Sequence, residues 1–308
     1  MKPLLTFALL LFGSSVSPST PATAQFAGIQ TVFVIVVENH DWSEIKGNPS
    51  APYINNVLLP RGAHAERYNN PAGVHPSLPN YLWLEAGKDF GIRDDNSPAV
   101  NHQATTSHLV TLLESAGVTW KAYEEDVAGT ECPLSNRGLY AVKHNPFVYF
   151  DDVTNGNNSG SSRCLAHVRP YTELASDLQR NTTARYNFIT PNLCHDMHDC
   201  SIQAGDSWLS TEVPRILASA AYQHAVLFIT FDESEHTDGP IAMIALSPYA
   251  KPGYANSVSY THSSTLRTIQ EIFGVTPLLG DAQNVADLGD LFLPPGELPP
   301  PSNLHFRR

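Results

Sequence analysis

The sequence predicts an α/β sandwich around a mostly parallel central sheet, and three observations carry that prediction. Short apolar, β-branched runs recur along the chain; amphipathic stretches with helix start and stop signals lie between them; and acidic clusters follow directly on two of the runs. Runs that are apolar at every position, rather than at every second one, suit strands covered on both faces, as parallel strands are. Strands that alternate with helices form crossover units and hence a parallel sheet.

Taken in order, the first strand is Thr31-Val32-Phe33-Val34-Ile35-Val36-Val37. A shorter one follows at Tyr186-Asn187-Phe188-Ile189, then Val226 to Phe231 and Ile241 to Leu246. Helices are expected from His108 to Ala116, with threonines before it as caps and Gly117 as its stop, from Trp208 to Ala221, and from Ser264 to Phe273, ended by Gly274. Asp206 or Ser207 reads as the cap of the second helix. Trp83, Trp120 and Trp208 read as core. Asn155 to Ser162 is a polar, low-complexity loop, and residues 293–308 form a proline-rich tail.

The start of the chain points to export. Lys2 precedes the apolar run Leu4 to Phe12, and small residues lead to Ala22-Thr23-Ala24. That order describes a signal peptide over residues 1–24, cleaved near Ala24, followed by a single domain over 25–292. The run is shorter than the ~20 residues that a spanning helix needs. A secreted or periplasmic protein without stable membrane insertion is therefore expected. The four cysteines fit an oxidising compartment, with the local pairs Cys132–Cys164 and Cys194–Cys200 favoured over a Cys-only zinc site. A net charge of −12, from 18 basic and 30 acidic residues, argues against nucleic acid as a partner. It does not exclude anionic substrates, because acidic side chains around a cation attract phosphate through the metal.

Ligands of parallel sheets bind beyond the carboxyl ends of the strands, so strand-end polar residues are where chemistry is sought. Glu38-Asn39-His40-Asp41 closes the first strand, Asp232-Glu233-Ser234-Glu235-His236 follows Phe231, and Cys194-His195-Asp196-Met197-His198-Asp199-Cys200 follows the strand that ends at Ile189. Two buried strands that each deliver carboxylates bring together the oxygen ligands that divalent cations require. In His75-Pro76-Ser77-Leu78-Pro79-Asn80-Tyr81-Leu82, prolines fix the backbone around a serine. A base or metal nearby would make that serine a nucleophile.

Glu38-Asn39-His40, the His75 to Leu82 segment, Pro191-Asn192-Leu193-Cys194 with Asp196 and His198, Gly205-Asp206-Ser207-Trp208-Leu209, Phe231-Asp232-Glu233 and Thr261-His262-Ser263 occur in one order. Together, over roughly Val32 to Phe273, they resemble the bacterial phosphoesterase family of secreted acid phosphatases and phospholipases C. Its fold is similar to that of the alkaline phosphatase superfamily, a three-layer sandwich. The resemblance implies a phosphoric ester hydrolase with Ser77 as nucleophile, Glu38, Asn39, Asp232 and Glu233 as metal-binding positions, Asp196 with His198 as the acidic/His pair that binds a second metal in two-metal relatives, and His262 as a late site histidine; His198 or His262 is then expected to protonate the leaving oxygen. It further implies that Asn96 contacts the phosphoryl oxygens; His75, two residues before Ser77, and Asn80 are also expected to contact substrate. Zinc-dependent relatives place Asp where Glu38 stands and Asp-His where Asp232-Glu233 stands. The site is thus expected to be poor in nitrogen, leaning to one metal with oxygen ligands such as calcium, magnesium or manganese rather than paired zinc.

A phosphomonoesterase acting on a small phosphorylated substrate or a phospholipid head group is expected, because the chain has little material for a separate lipid-binding domain; a phospholipase C-type diesterase is the alternative. A serine esterase fits less well, since no G-x-S-x-G elbow exists, and an inactive binding protein is at odds with an intact Glu38, Ser77, Asp232 and His262. His40, His64, His102, His108, His144, His167, His224 and His305 read as surface or packing residues, and His236 as support for the Asp232 cluster.

Overall fold

In a computed structural model, which describes residues 22–235 and 239–297, the apolar runs pair into one eight-stranded sheet. Its strands are β1 (Thr31–Val37), β2 (Ala63–Asn69), β3 (Trp120–Glu124), β4 (Val168–Pro170), β5 (Tyr186–Thr190), β6 (Ala225–Phe231), β7 (Met243–Leu246) and β8 (Tyr254–Thr261). They lie in the order β4-β3-β5-β1-β6-β7-β2-β8. β7 runs antiparallel to both its neighbours, and every other pairing is parallel.

At the centre, β1, β5 and β6 are buried at nearly every position. Two-sided burial requires helices on both faces. One group is α1 (Ser77–Ala86), α2 (Leu109–Ser115) and, later in the chain, the helix His262–Phe273; the other pairs α3 (Thr172–Arg180) with α4 (Ile202–Leu217). The helix His262–Phe273 is α5. Phe33, Ile35, Phe228 and Ile229 are essentially inaccessible to solvent, each contributing about 1.5–3 kcal/mol by leaving water. The expected α/β sandwich with a mostly parallel sheet is the fold observed.

Four strands escape the sequence reading. β2 and β3 carry charged residues within them, β4 has three residues, and β8 is exposed over much of its length, so none shows a sustained apolar run. α4 begins at Ile202 rather than Trp208, because the Ser201 hydroxyl accepts from the Ala204 N–H and caps it. Asp206 lies inside α4 and caps a different element: its carboxylate accepts from the Tyr53 and Ile54 N–H groups, at 2.9 and 2.8 Å, where the turn Ile54–Leu58 starts. Trp120 is buried, as expected, whereas Trp83 is half-buried and donates to Ser263.

Both expected disulfides form, Cys132–Cys164 and Cys194–Cys200. Among the described residues no helix is long and apolar enough to cross a membrane. The expected export signal falls mainly on residues outside the description, as do His236, His305 and most of the proline-rich tail; Ala22–Gln25, which spans the expected cleavage point, is one helical turn.

Sheet register assembles the site. Val37 pairs with Phe231 across β1 and β6, so Glu38 and Asp232 leave adjacent strands side by side. The Asp232 N–H donates to Val37 O at 3.0 Å, and the Glu38 N–H to Asp196 O at 2.7 Å. The loop after β5 is thereby joined to the end of β1.

Candidate active site

Ser77 is the first residue of α1. Asn80, a turn later, donates to the carbonyls of Val74 and Pro76 at 2.9 and 3.2 Å, which fixes the backbone leading into the helix. At the far end α1 stops at Gly87, whose φ is +67°; a Cβ there would lie 2.4 Å from the Leu279 carbonyl, so only glycine fits. Residues four apart share a helix face, and here Ser77 and Tyr81 converge on Glu38. Ser77 Oγ donates to Glu38 Oε2 at 3.1 Å and Tyr81 donates to Oε1 at 2.5 Å.

Glu38 is fully buried among other acids. Burial, followed by the charges of Asp232 and Asp196, holds its carboxyl well above the usual range. Burial likewise raises Asp196 to about 8, Glu233 to about 9, and Asp232 above its ordinary value. Between Glu38 and Asp196 lies His144, stacked on Tyr81. Its Nε2 is 3.2 Å from Glu38 Oε1 and its Nδ1 3.3 Å from Asp196 Oδ2. Burial, then the charge of Lys143, pushes this imidazole well below its ordinary value, so it is neutral.

Those short distances are not hydrogen bonds. His144 Nε2, Asp196 Oδ2 and Asp232 Oδ2 are buried with no hydrogen-bond partner among the described residues. Buried polar atoms left unpaired are costly, and a bound cation would satisfy the oxygen and nitrogen atoms that converge here. Glu38, His144 and Asp196 offer ligand atoms that all lie within 4.8 Å of one another, and Asp232 lies beside Glu38 at the end of the next strand. The donor set fits a divalent metal ion.

The disulfide Cys194–Cys200 closes the loop that brings Asp196 and His198 to this cluster. Asp196 Oδ1 accepts from the His198 N–H at 2.8 Å, and His198 Nδ1 lies 2.7 Å from Asp199. Met197 holds a left-handed φ of +82° and is buried against α4. A side chain at Gly205 would lie 2.3 Å from Met197 Cγ and 2.9 Å from the His195 carbonyl, so glycine there lets the loop lie close.

The residues singled out in the sequence divide into three groups. Glu38, Asp232, Asp196, Ser77 and His198 come together as described. Glu233 lies beside them: its Oε2 takes His75 Nδ1 at 2.5 Å and Asn80 Nδ2 at 3.2 Å, and its carboxylate also accepts from the Ser77 hydroxyl. Asn39 is half-buried with a φ of +26°, and its N–H donates to Asp232 Oδ1 at 3.1 Å. His262 and Asn96 are placed otherwise than expected. Both ring nitrogens of the buried His262 are occupied, by Tyr68 Oη at 3.0 Å and the Asp232 carbonyl at 2.5 Å, and burial pushes its pKa down to about 4. It holds the main chain of Asp232 rather than facing a leaving group. Asn96 is exposed and its carbonyl accepts from Tyr149; the neighbouring Asp95 is the residue that enters the site, with Oδ1 accepting from the Leu78 N–H at 3.0 Å and Oδ2 pairing with Lys143 at 3.1 Å.

The packing role expected of His144 is corrected: it lies within the acid cluster and supplies the nitrogen that the sequence seemed to lack. Lys143 and Tyr81 are also absent from the sequence reading. The only signal for the first two is that a lysine and a histidine adjoin at Lys143-His144 in the connection from β3 to β4; Tyr81 is signalled by its i, i+4 spacing from Ser77. Tyr81→Phe should keep the fold and lower metal affinity or kcat by about 10–100-fold, the range for losing a hydrogen bond to a metal ligand. Isothermal titration with manganese, beside a melting curve, measures it; an unchanged affinity and kcat would remove Tyr81 from the site.

Comparison with known proteins identifies the family. The model of the Phosphoesterase family matches residues 65–276. A phosphatidylinositol-3-phosphatase of Mycobacterium tuberculosis is 30% identical over 262 residues, covering 85% of this chain and 82% of that protein. A phosphate-repressible acid phosphatase of Penicillium chrysogenum is 28% identical over 217 residues, 67% of this chain but 51% of the fungal protein, so the chain spans about half the length of that relative. Among solved structures, an alkaline phosphatase superfamily protein of Vibrio parahaemolyticus superposes with a TM-score of 0.56 at 10% identity, covering 83% of this chain and 70% of that one. With a serine presented at a helix start to a buried carboxylate–imidazole cluster, on this sheet and with these relatives, the chain belongs to the Phosphoesterase family and is a hydrolase of phosphoric esters.

Proposed function

We propose that this chain is an exported phosphomonoesterase that works through a phosphoserine on Ser77, with a divalent metal held by Glu38, His144, Asp196 and Asp232. The observation that carries the reading is the Ser77 hydroxyl at 3.1 Å from Glu38, its proton directed at a carboxylate inside the acid cluster. One imidazole among carboxylates favours manganese or zinc over calcium. When bound, the metal supplies positive charge for the nucleophile and for the phosphoryl oxygens.

The chain's own residues do the rest. Ser77 loses its proton toward Glu38 and attacks phosphorus; the Oγ–P bond forms as the bond to the leaving alcohol breaks. His198 is placed to protonate that alcohol and then to draw a proton from the water that attacks the phosphoserine; as the water oxygen bonds to phosphorus, the Oγ–P bond breaks and Ser77 Oγ takes its proton back from Glu38. His262 and Asn39 hold Asp232 in place, and Asn80 with His75 holds Glu233. The N-terminal pattern of Lys2, Leu4 to Phe12 and Ala24 together with two disulfides supports export. The mycobacterial relative is named for a phosphoinositide, which supports a phosphorylated head group among the substrates.

Rates on p-nitrophenyl phosphate and p-nitrophenyl phosphorylcholine, with and without chelator, test this. The monoester should react at least about tenfold faster, and chelation should remove both activities until manganese or zinc is returned. Faster cleavage of the phosphorylcholine diester would make the enzyme a diesterase. Equal rates after exhaustive chelation would exclude the metal.

A further inference from the structure

Lys143 lies where a positive charge beside that of a metal could meet a phosphoryl group on Ser77. Its Nζ is 3.4 Å from Ser77 Oγ, 3.1 Å from Asp95 Oδ2 and 3.4 Å from His198 Nε2. Two of these three contacts are long, so the ammonium is near the nucleophile without being consumed by it. Its main chain is set by the buried Val142 and His144 on either side of it in the same short helical turn, while its side chain stays partly exposed at 19%. The charge of Lys143 acts on all four acids of the cluster.

One backbone donor at the helix start is already engaged. A phosphoryl group at the start of a helix ordinarily takes the free N–H groups there, but the Leu78 N–H is bonded to Asp95 Oδ1. Asp95 thus spans the helix start and the ammonium, and leaves Lys143 as the charged donor beside Ser77. A phosphoryl group joined to Ser77 Oγ would place a non-bridging oxygen within hydrogen-bonding reach of that ammonium.

We propose that Lys143 is a specificity-determining residue that recognises the second negative charge of a phosphomonoester and so sets monoester against diester preference. A monoester near neutral pH carries close to two negative charges on three non-bridging oxygens. A diester carries one charge, and an ester arm replaces the oxygen that the ammonium would hold. A fixed ammonium in a partly desolvated site therefore stabilises the monoester's transition state more than the diester's. This deepens the monoesterase reading and rests on it.

The test compares wild type, Lys143→Met, Lys143→Gln and Lys143→Arg in the full chain with metal present. The substrates are p-nitrophenyl phosphate and bis-p-nitrophenyl phosphate, and binding of inorganic phosphate is followed separately by its effect on the melting temperature. In both neutral variants kcat/KM on the monoester should fall by about 100- to 1000-fold, the scale for losing one transition-state donor. The same variants should change by less than about fivefold on the diester, and should lose the stabilisation by phosphate. Lys143→Arg, which keeps the charge, should retain the monoester preference. Parallel loss on both substrates, unrescued by Lys143→Arg, overturns the inference alone, as does an unchanged ratio. A wild-type protein that cleaves only the diester overturns the monoesterase reading, and this inference with it.

Discussion

Ser77→Ala is expected to lower kcat on p-nitrophenyl phosphate by about a thousandfold or more, while the melting temperature stays within a few degrees of wild type. Ser77 is buried, and its Oγ bonds to Glu38 at 3.1 Å, meets Lys143 at 3.4 Å and also contacts the Glu233 carboxylate. Alanine fits the first turn of α1, so the fold loses one hydrogen bond, about 0.5–1.5 kcal/mol. The reaction, by contrast, loses the atom that bonds to phosphorus, and removing a nucleophile costs orders of magnitude. Acid quench during turnover should trap a phosphorylated wild-type protein and leave Ser77→Ala unlabelled. A variant that keeps more than about a tenth of kcat would show that water attacks directly, with Ser77 merely lining the site.

Glu38→Gln should move activity and stability in opposite directions. Activity should fall by more than about a hundredfold, since even the partners of metal ligands cost 10–100-fold when removed. Metal-free stability should rise. Glu38, Asp196, Asp232 and Glu233 all have carboxyls raised above their ordinary values, mainly by burial. Between the unfolded values near ~4 and folded values of about 8 for Asp196 and about 9 for Glu233, the folded state binds more protons than the unfolded one. Stability then falls as pH rises through that window. In chelator, the wild-type melting temperature should therefore decline from pH 5 to pH 8. Glu38→Gln removes one charge from the cluster and should decline less, melting a few degrees higher at pH 8 (about 2–4 °C per kcal/mol in a chain of this size). A glutamine that melts lower than glutamate in chelator would show that the cluster is not under repulsion. The trade of stability for a functional site is common, and here it has named residues.

Much of this architecture is legible in the order of residues. Continuous apolar runs identify β1 and β6 because a strand covered on both faces has no polar side to interrupt it. The end of such a run identifies Glu38 and Asp232, because a polar residue there must lie at the sheet's carboxyl edge. The cysteine pairs are legible for a simpler reason, their proximity along the chain. β2, β3 and β8 are not, because strands that carry charges or lie at an edge lack the apolar signal.

The site itself is only half readable in the same way. Glu38, Ser77, Asp196 and Asp232 sit in local patterns. His144 and Lys143 do not: they lie on a short turn between β3 and β4, and nothing beside them marks chemistry. Their role depends on where that turn is folded, over the stacked ring of Tyr81 and between Glu38 and Asp196. His262 makes the converse case: a histidine in a family-like motif whose two nitrogens the fold has already engaged, at Tyr68 and at the Asp232 carbonyl. The sequence by itself determined the central strands, the Ser77 segment and the strand-end acids, since these follow from burial and local spacing. Only the tertiary structure decided which histidine faces the acids and which lysine faces Ser77, because long-range packing sets the direction of a side chain and no local pattern encodes it.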